Sequence, residues 1–316
     1  MAGKLFATMV LTIFLLFGIL FGLLVAIGFY FSISAIIMIP IMIVIIIIQW
    51  AVSPKIVWAM TNLRLLEKNE LPWLQETVQE LCKKNNMPVP RMAISKMSQP
   101  NAFVFGRTPK SATLAVTEGL LDTLTRDEVK AVVGHEIGHI KHKDMIVMTI
   151  ASAIPIIAYY AAISLMYSSD DRRSNAIIIG IIAYAVYFLS SLLVMALSRM
   201  REYYSDDFGG RATKPSHLAT ALAKITYGLA KEKPKMKNSA VRSFYIADPI
   251  SSAAEVSQFS EAYADRYISS KEVKEAIEAE RKNGAMKFME IFRTHPLTFK
   301  RIEALHKLDA ELSAKK

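Results

Sequence analysis

The sequence predicts a mainly α-helical integral membrane protein, with about four transmembrane helices and an α+β domain outside the membrane. Two observations predict this class. Hydrophobic residues make up 53% of the 316 residues, and they are concentrated in long runs. From Leu5 to Val52, tyrosine is the only ionisable residue type. One helix needs about 20 apolar residues to cross a bilayer, so this run is long enough for two spans.

The apolar runs predict two helical hairpins. The first occupies residues 1–52, with a turn near Gly28–Ser34. The second has spans at about residues 146–167 and 176–198, separated by the polar loop Ser168–Asn175. The first run far exceeds the 7–15 apolar residues of a signal peptide and leads straight into another. We therefore expect an uncleaved membrane anchor.

The remaining residues are predicted to form one domain from two segments, residues 53–145 and 199–316. The second hairpin, residues 146–198, is inserted between them. The lysine-rich stretch Ala230–Asn238 is predicted to be an exposed loop, with a mobile lid as the alternative. Periodicity predicts helices near the C-terminus, at about residues 270–283 and 300–312.

The distribution of lysine and arginine predicts the orientation in the membrane. Residues 53–145 carry thirteen of them, the tail from Arg199 carries twenty-two, and the loop between the last two spans carries Arg172 and Arg173. The positive-inside rule places both segments and the N-terminus in the cytoplasm of a multi-pass cell-membrane protein. The net charge of +10 is explained by this orientation and by anionic lipids, so no nucleic-acid partner is predicted.

The single cysteine, Cys82, excludes an internal disulfide bond. This is typical of a protein in a reducing compartment. The cysteine content therefore agrees with the cytoplasmic placement.

Residues 134–139 read Gly-His-Glu-Ile-Gly-His and provide the strongest functional motif. His135 and His139 are four positions apart, little more than one helical turn, so both imidazoles can reach one cation. Glu136 is placed to take a proton from a water molecule rather than to bind the metal. The motif therefore predicts a zinc site that activates water.

The surrounding sequence predicts a helix for this motif. Thr125 and Glu128 form a T-x-x-E capping box, and residues 126–140 follow without proline. The motif thus has the structural context that it requires. The alternative is a pair of ordinary histidines on one helix face.

A catalytic zinc site needs a third protein ligand. One known pattern places a histidine six residues after the second, but Met145 occupies that position. Glu202, just beyond the fourth predicted span, is the best candidate, although alone it could be a charge ending a membrane helix. Asp206 could accept a hydrogen bond from the far nitrogen of His135. His142 is either a fourth ligand or a surface residue at the membrane boundary.

Several ordered motifs relate the chain to a known family. They are Pro100–Gly106, Ala115–Leu121, Leu124–Glu128, Ser198–Tyr203, and Thr294–Pro296 followed by Arg301–Ile302. With these motifs the chain resembles the HtpX-type membrane zinc metalloproteases, relatives of the CAAX prenyl endopeptidases. One departure is Ser205, where the family pattern has alanine. The resemblance is weakest at about residues 231–285.

The resemblance implies a cytoplasmic, zincin-like metalloprotease domain with a small sheet. It implies one Zn²⁺ per chain, held by His135, His139 and Glu202. Glu136 would act as the general base, and Asp206 would support the metal ligands. The implied activity is hydrolysis of peptide bonds in membrane or misfolded proteins, for membrane protein quality control under stress.

The resemblance also implies how substrates bind. Residues 101–117 would form a strand hairpin whose edge pairs with an extended polypeptide, near Asn101 and Ala115. An ordinary structural hairpin would have the same sequence. His295 could donate a hydrogen bond to the developing oxyanion, or it could simply precede a helix. Arg301 is expected to pair with a nearby carboxylate.

Three other functions fit the sequence less well. A transporter usually has ionisable residues inside its spans, and the predicted spans have no Asp, Glu, Lys, Arg or His. A protease acting inside the bilayer would need an apolar metal helix, but charged residues flank this one. A metal-binding scaffold without activity would have no use for Glu136.

Overall fold

The computed structural model describes four stretches of the chain, residues 2–31, 35–166, 173–229 and 270–315. Two sequence-based predictions lie wholly or mainly outside them. These are the exposed loop or lid at Ala230–Asn238 and the region at 231–285. Parts of both predicted hairpin turns also lie outside the described residues.

The chain divides into two units. The first contains Met1–Ser53 and Ile146–Met200, and the second contains Pro54–Met145 and Arg201–Lys316. The borders predicted from hydropathy differ from these by at most two residues. Each unit therefore takes residues from two separate parts of the sequence.

Within the described residues, four helices are long and apolar enough to cross a membrane, as the sequence predicts. They are α1 (Ala2–Phe31), α2 (Ala35–Met60), α6 (Asp144–Met166) and α7 (Arg173–Ala212). In the first unit, Leu16 and Leu20 of α1 pack with Ile154 of α6. Gln49 of α2 donates to the hydroxyl of Ser152 at 3.0 Å. Many other large apolar side chains of these helices are exposed, as expected for surfaces that face lipid.

Helix α7 is longer than the span predicted at residues 176–198. It has 40 residues, which corresponds to about 60 Å, roughly twice the thickness of a bilayer core. No proline interrupts it before Pro215, and the helix ends at Ala212. Glu202 and Asp206 therefore lie on the same continuous helix as the fourth predicted span.

The second unit contains a four-stranded sheet. Its strands are β1 (Leu63–Leu65), β2 (Arg91–Ser95), β3 (Ala102–Phe105) and β4 (Thr113–Thr117), in the order β1-β2-β4-β3. Strands β2 and β4 are parallel, and the other two pairs are antiparallel. The hairpin predicted within residues 101–117 is present as β3 and β4, and β3 is an edge strand of this sheet.

The connection between β3 and β4 contains a 3₁₀ turn at Pro109–Ser111. Gly106 opens it with a φ of +151°, and a Cβ there would lie 2.8 Å from the carbonyl oxygen of Ser111. Only glycine fits this conformation without strain.

Helices cover the sheet and enclose the core of the second unit. They are α3 (Pro72–Lys84), α4 (Glu118–Thr123), α5 (Arg126–Lys141), α8 (Pro215–Leu229), α9 (Ser270–Lys282), α10 (Gly284–Met289), a 3₁₀ turn (Glu290–Phe292) and α11 (Thr298–Ser313). The helices predicted at 270–283 and 300–312 correspond to α9 and α11. Leu74, Leu114, Val132 and Leu222 belong to the same buried apolar cluster, so helices and sheet share one core.

Helix α5 begins at the predicted capping box. The Thr125 N–H donates to Glu128 Oε2 at 2.8 Å, and the Glu128 N–H donates to Thr125 Oγ1 at 3.4 Å. Glu128 also pairs with Lys224 of α8 at 2.8 Å. These contacts fix the start of the helix that carries the histidines.

Glycines allow α7 to approach α5 closely. A Cβ on Gly209 would lie 2.7 Å from the backbone nitrogen of His135. A Cβ on Gly138 would lie 3.0 Å from the Cα of Ser205. The two helices therefore touch through their backbones next to the histidine motif.

Two glutamates from outside α11 bind its N-terminus. The buried Glu280 of α9 accepts from the N–H groups of Thr298 and Phe299, at 3.1 and 3.2 Å. Glu290 accepts from the Leu297 N–H at 3.2 Å. Since the first N–H groups of a helix have no partner within the helix, these contacts anchor the start of α11.

Candidate metal and active site

Two helices bring three potential metal ligands together. His135 and His139 project from α5, and Glu202 projects from α7. The two Nε2 atoms lie 3.1 Å apart. Glu202 Oε1 lies 3.4 Å from His139 Nε2, and its Oε2 lies 3.6 Å from His135 Nε2. These three residues form a cluster that could hold a metal ion.

The carboxylates on the far side of each ring support a cation at this cluster. His135 Nδ1 lies 2.9 Å from Asp206 Oδ1, and His139 Nδ1 lies 2.6 Å from Asp144 Oδ2. Because a carboxylate accepts, each Nδ1 carries the hydrogen and each Nε2 presents a lone pair. Two such nitrogens and a carboxylate oxygen then face one another, which is favourable only around a positive ion.

The spacing and charge of the ligands also fit zinc. With zinc–nitrogen bonds of 2.0–2.1 Å, ligands at the corners of a tetrahedron lie about 3.3 Å apart. The observed separations of 3.1–3.6 Å bracket this value. Burial lowers the pKa of His135, and it lowers the pKa of His139 to about 4, so both rings are neutral near pH 7.

Glu136 lies beside the cluster and is almost fully buried. Burial raises the pKa of its carboxyl well above the usual range, and the negative charge of Glu202 raises it further. The backbone N–H of Val104 in β3 donates to this carboxyl group. The outward-facing edge of β3 therefore borders the ligand cluster.

Arg301 of α11 is a buried cation that pairs with the carboxylates of Glu202 and Asp206. Its Nε and one Nη each lie 2.8 Å from an oxygen of Asp206. Its other Nη lies 3.0 Å from Glu202 Oε2. The sequence predicts a carboxylate partner for Arg301 without identifying it, and the structure provides two.

His295 lies in the turn before α11, with Nδ1 3.3 Å from Glu202 Oε2. It is thus close to the cluster without belonging to it. His142 packs instead against the rings of Tyr204 and Phe208, and burial lowers its pKa to about 4. The described structure gives His142 no place among the three ligands.

The two predicted substrate contacts lie in different environments. Asn101 directly precedes β3 and is buried, with its N–H donating to Thr117 Oγ1 at 2.9 Å. Ala115 is fully buried in the inner strand β4, between Ala93 of β2 and Phe103 of β3. Strands pair with both sides of β4, whereas among the described strands only β4 pairs with β3, on its inner side.

Sequence reasoning missed two residues of this site, Asp144 and Arg201. Asp144 binds His139 and also pairs with Arg201 of α7. The only local signal is an acidic residue five positions after the second histidine. Arg201 directly precedes Glu202, and its sequence context is that of an ordinary charge at the end of a membrane helix.

Comparison with known proteins identifies the family. Residues 68–309 match the profile described as "Peptidase family M48". The chain belongs to this family. The resemblance inferred from the motifs is therefore confirmed, and the M48 chain is a membrane metalloendopeptidase of the HtpX type.

Relatives of this M48 chain cover most of its length. A "Protease HtpX homolog" from Methanothermobacter thermautotrophicus is 39% identical over 232 residues, which is 72% of this chain and 88% of the relative. Another, from Thermococcus sibiricus, is 33% identical over 306 residues, covering 93% and 94% of the two chains.

A solved structure has the same fold. S. mikatae Ste24p superimposes with a TM-score of 0.55 at 17% identity, covering 96% of this chain and 66% of that one. The predicted class, a mainly α membrane protein with a small mixed sheet, is therefore confirmed.

Proposed function

We propose that this M48 peptidase uses one zinc ion per chain to cleave membrane or misfolded proteins at the cytoplasmic face of the cell membrane. Its role would be membrane protein quality control. The observation that carries the proposal is the convergence of three lone-pair donors, from His135, His139 and Glu202, beside Glu136 and the edge of β3.

The buried charges support a divalent ion at this position. Four carboxyl groups and two guanidinium groups surround this position. When Glu136 is ionised, these six side chains have a net charge of two negative charges. An ion of charge +2 balances them, and unbalanced buried charge is costly. These side chains belong to Glu136, Asp144, Arg201, Glu202, Asp206 and Arg301.

Glu136 is the proposed general base. Zinc bound here would act as a Lewis acid that lowers the pKa of a water molecule to about 7. Glu136 would accept a proton from that water and later deliver it to the amine that leaves. Burial shifts the pKa of Glu136 upward from the usual carboxyl range, which is the direction that a proton carrier working near neutral pH requires.

The outer edge of β3, which no described strand pairs with, is the proposed binding site for the substrate backbone. A polypeptide added to this edge would be held by main-chain hydrogen bonds, which demand little of its sequence. The Val104 N–H contact shows that this edge lies next to Glu136. Asn101, at the start of β3, is a proposed contact for the substrate. Ala115 is less suited to this role because its backbone is already paired.

His295 is the proposed donor to the oxyanion that develops on the scissile carbonyl. Its distance of 3.3 Å to Glu202 brings the ring to the rim of the ligand cluster. One such donor typically contributes about 3–4 kcal/mol to transition-state stabilisation. The turn before α11, anchored through Glu280 and Glu290, holds the ring there.

The proposed location follows from charge and hydropathy. Both segments of the second unit are rich in lysine and arginine, whereas the loop between α6 and α7 has few. The positive-inside rule therefore favours a cytoplasmic active site. Membrane and misfolded proteins are the substrates that best suit a membrane-anchored site with little sequence demand.

The Glu136→Gln variant of the full chain, purified in detergent, tests the proposed chemistry. We expect zinc content to stay at one per chain and casein cleavage to fall by at least about 100-fold, because the base is lost while the ligands remain. A chelator should abolish cleavage by the native protein. Glu76→Gln, at an exposed position of α3, is the matched control and should cleave casein normally.

The rates of casein cleavage by the Glu136→Gln variant and by the metal-free native protein decide whether the proposed mechanism holds. If Glu136→Gln cleaves casein at the native rate, Glu136 is not the base. If the native protein cleaves casein equally well after its metal has been removed, the metal-dependent mechanism is wrong.

A further inference from the structure

The histidine ligands are not held in the same way. Asp206, which the sequence predicts as the partner of His135, lies one turn after Glu202 on α7. The partner of His139 is Asp144, the first residue of α6, whose Oδ2 lies 2.6 Å from His139 Nδ1. The orientation of the second histidine therefore depends on a residue at the start of a predicted membrane span.

Arg201 holds Asp144 in turn. Its guanidinium group contacts Asp144 Oδ1, and its Nη2 donates to the backbone carbonyl of His142 at 2.6 Å. The side chains of Asp144 and Arg201 are both more than nine-tenths buried. Arg201 thus connects the end of α5, the start of α6 and α7 at one point.

The site therefore contains two series of side-chain contacts of the same kind. Each series runs from a histidine to an aspartate and then to an arginine. The arginine comes from α11 in one series and from α7 in the other. The two series are His135–Asp206–Arg301 and His139–Asp144–Arg201.

A simpler role for Asp144 would be to stabilise the N-terminus of α6 through its charge. That role requires no specific contact with a histidine. The two oxygens of Asp144 instead contact His139 and Arg201. Both contacts lie within the second unit, since Asp144 precedes Ile146 and Arg201 follows Met200.

We propose that Asp144 is a positioning residue that orients His139 for metal binding, and that Arg201 acts through Asp144. This inference rests on the proposed metal site. Without the Asp144 contact, the imidazole of His139 could rotate and turn Nε2 away from the cluster. Without Arg201, the carboxylate of Asp144 would lose the contact that fixes its rotamer.

Asp144→Asn is the decisive variant. The amide has one acceptor and one donor group, so either His139 or Arg201 loses its acceptor whichever way the side chain is turned. We expect zinc affinity to fall by about 10- to 100-fold, as is typical when a partner of a metal-bound histidine is lost. The measurement is zinc titration of the metal-free, full-length protein in detergent, in competition with a chromophoric chelator.

A second measurement reports ligand geometry rather than affinity. The visible absorption spectrum of the Co²⁺-loaded protein depends on the arrangement of the ligands. We expect it to change in Asp144→Asn and to stay as in the native protein in Asp207→Asn. Asp207 is the matched control, because it lies on the exposed side of α7 and pairs with Arg211 at 2.8 Å.

Arg201→Lys tests the second part of the proposal. Lysine keeps the charge but replaces the rigid guanidinium, whose Nη2 makes both contacts, with a shorter and more flexible side chain that does not hold that nitrogen in place. We expect the zinc affinity of Arg201→Lys to fall. The double variant that carries both Asp144→Asn and Arg201→Lys should bind zinc as tightly as Asp144→Asn alone, within about twofold. Losses that simply add would show that Arg201 does not act through Asp144. If Asp144→Asn does not fold, the zinc affinity of Arg201→Lys alone tests the proposal, and native affinity in that variant would contradict it.

A reference variant separates this inference from the metal site itself. His139→Ala should lose zinc. If it does, while Asp144→Asn binds zinc with native affinity and a native Co²⁺ spectrum, the positioning role is wrong and the metal site stands. If His139→Ala retains zinc, the assignment of the ligands is wrong.

Discussion

At the scale of single residues, the partner of one histidine nitrogen decides what the other nitrogen can do. Asp206 and Asp144 each place a carboxylate oxygen within 2.9 Å of an Nδ1 atom, so the Nε2 lone pairs of His135 and His139 face inward. Glu202 contributes a charged oxygen to the same point. In the proposed site, two neutral rings and one carboxylate would bind a dication and leave a position open for water.

Replacing Glu202 by alanine should remove a ligand and leave the fold intact. Arg301 keeps its two contacts with Asp206, so the variant should still fold. We expect zinc affinity to fall by more than about 100-fold, since losing even an outer partner costs 10- to 100-fold. Elemental analysis of the purified protein measures the zinc content directly.

Asp207→Ala is the control for this experiment, since it removes an exposed carboxylate from the same helix. It should retain one zinc ion per chain. Full occupancy in Glu202→Ala would mean that another residue is the third ligand.

At the scale of elements, the site depends on how closely α5 and α7 pack. Helix α5 provides both histidines and Glu136, the proposed base, whereas α7 provides Glu202 and Asp206. No side chain separates the helices where Gly209 meets the backbone of His135. The distance from the histidines to Glu202 is therefore sensitive to any atom added between the helices.

Gly209→Ala should disturb this packing. The new Cβ would lie 2.7 Å from the His135 nitrogen, a contact with backbone that only a shift of the helices can relieve. We expect a loss of about 1–3 kcal/mol in the free energy of unfolding, typical of overpacking. Zinc affinity should also fall. Thermal unfolding and zinc titration in detergent measure the two effects.

Gly284→Ala provides the matched control, because a Cβ at this position of α10 meets nothing within 4 Å. It should change neither stability nor zinc affinity appreciably. Equal behaviour of the two variants would show that the close approach of α5 and α7 is not required.

At the scale of the whole molecule, the four predicted spans determine which parts of the chain share a side of the membrane. An even number of crossings places the N-terminus, the segment between α2 and α6, and the C-terminal segment on one side. The second unit takes its residues from the segment between α2 and α6 and from the C-terminal segment. These two segments must therefore lie on the same side of the membrane for the unit to form. The proposal that this side is the cytoplasm rests on the lysines and arginines of these segments.

Epitope tags test this orientation. We expect a tag at either terminus to be protected from protease added to intact cells and to become accessible after the membrane is permeabilised. Protease treatment followed by immunoblotting gives the readout. A cytoplasmic protein and a tag on the outer face serve as controls. Digestion of both terminal tags in intact cells would place the active site outside.

Much of the molecule could be predicted because the signals are local. The apolar runs indicated four spans, since about 20 residues without charge suit only a bilayer or a buried core. The spacing of His135 and His139, with a capping box ahead of them, indicated a helix with both rings on one face. The strand formers within residues 101–117 indicated the hairpin of β3 and β4.

Other features depend on contacts between residues far apart in the sequence. Hydropathy predicts a fourth span that ends near residue 198, but it does not indicate that the helix containing this span continues to Ala212. Arg301 lies 95 positions from Asp206, and no local pattern could pair them. Asp144 and Arg201 have the appearance of charges at a membrane border until folding joins them.

The sequence by itself thus determined the membrane class, the helix that carries the two histidines, and the position of Glu136 on that helix. These features follow from hydrophobicity and helical periodicity, which act over a few turns. Only the tertiary structure decided which acids and arginines surround those histidines, and that the edge of β3 lies beside them. Such contacts follow from helix packing, which a one-dimensional pattern does not encode.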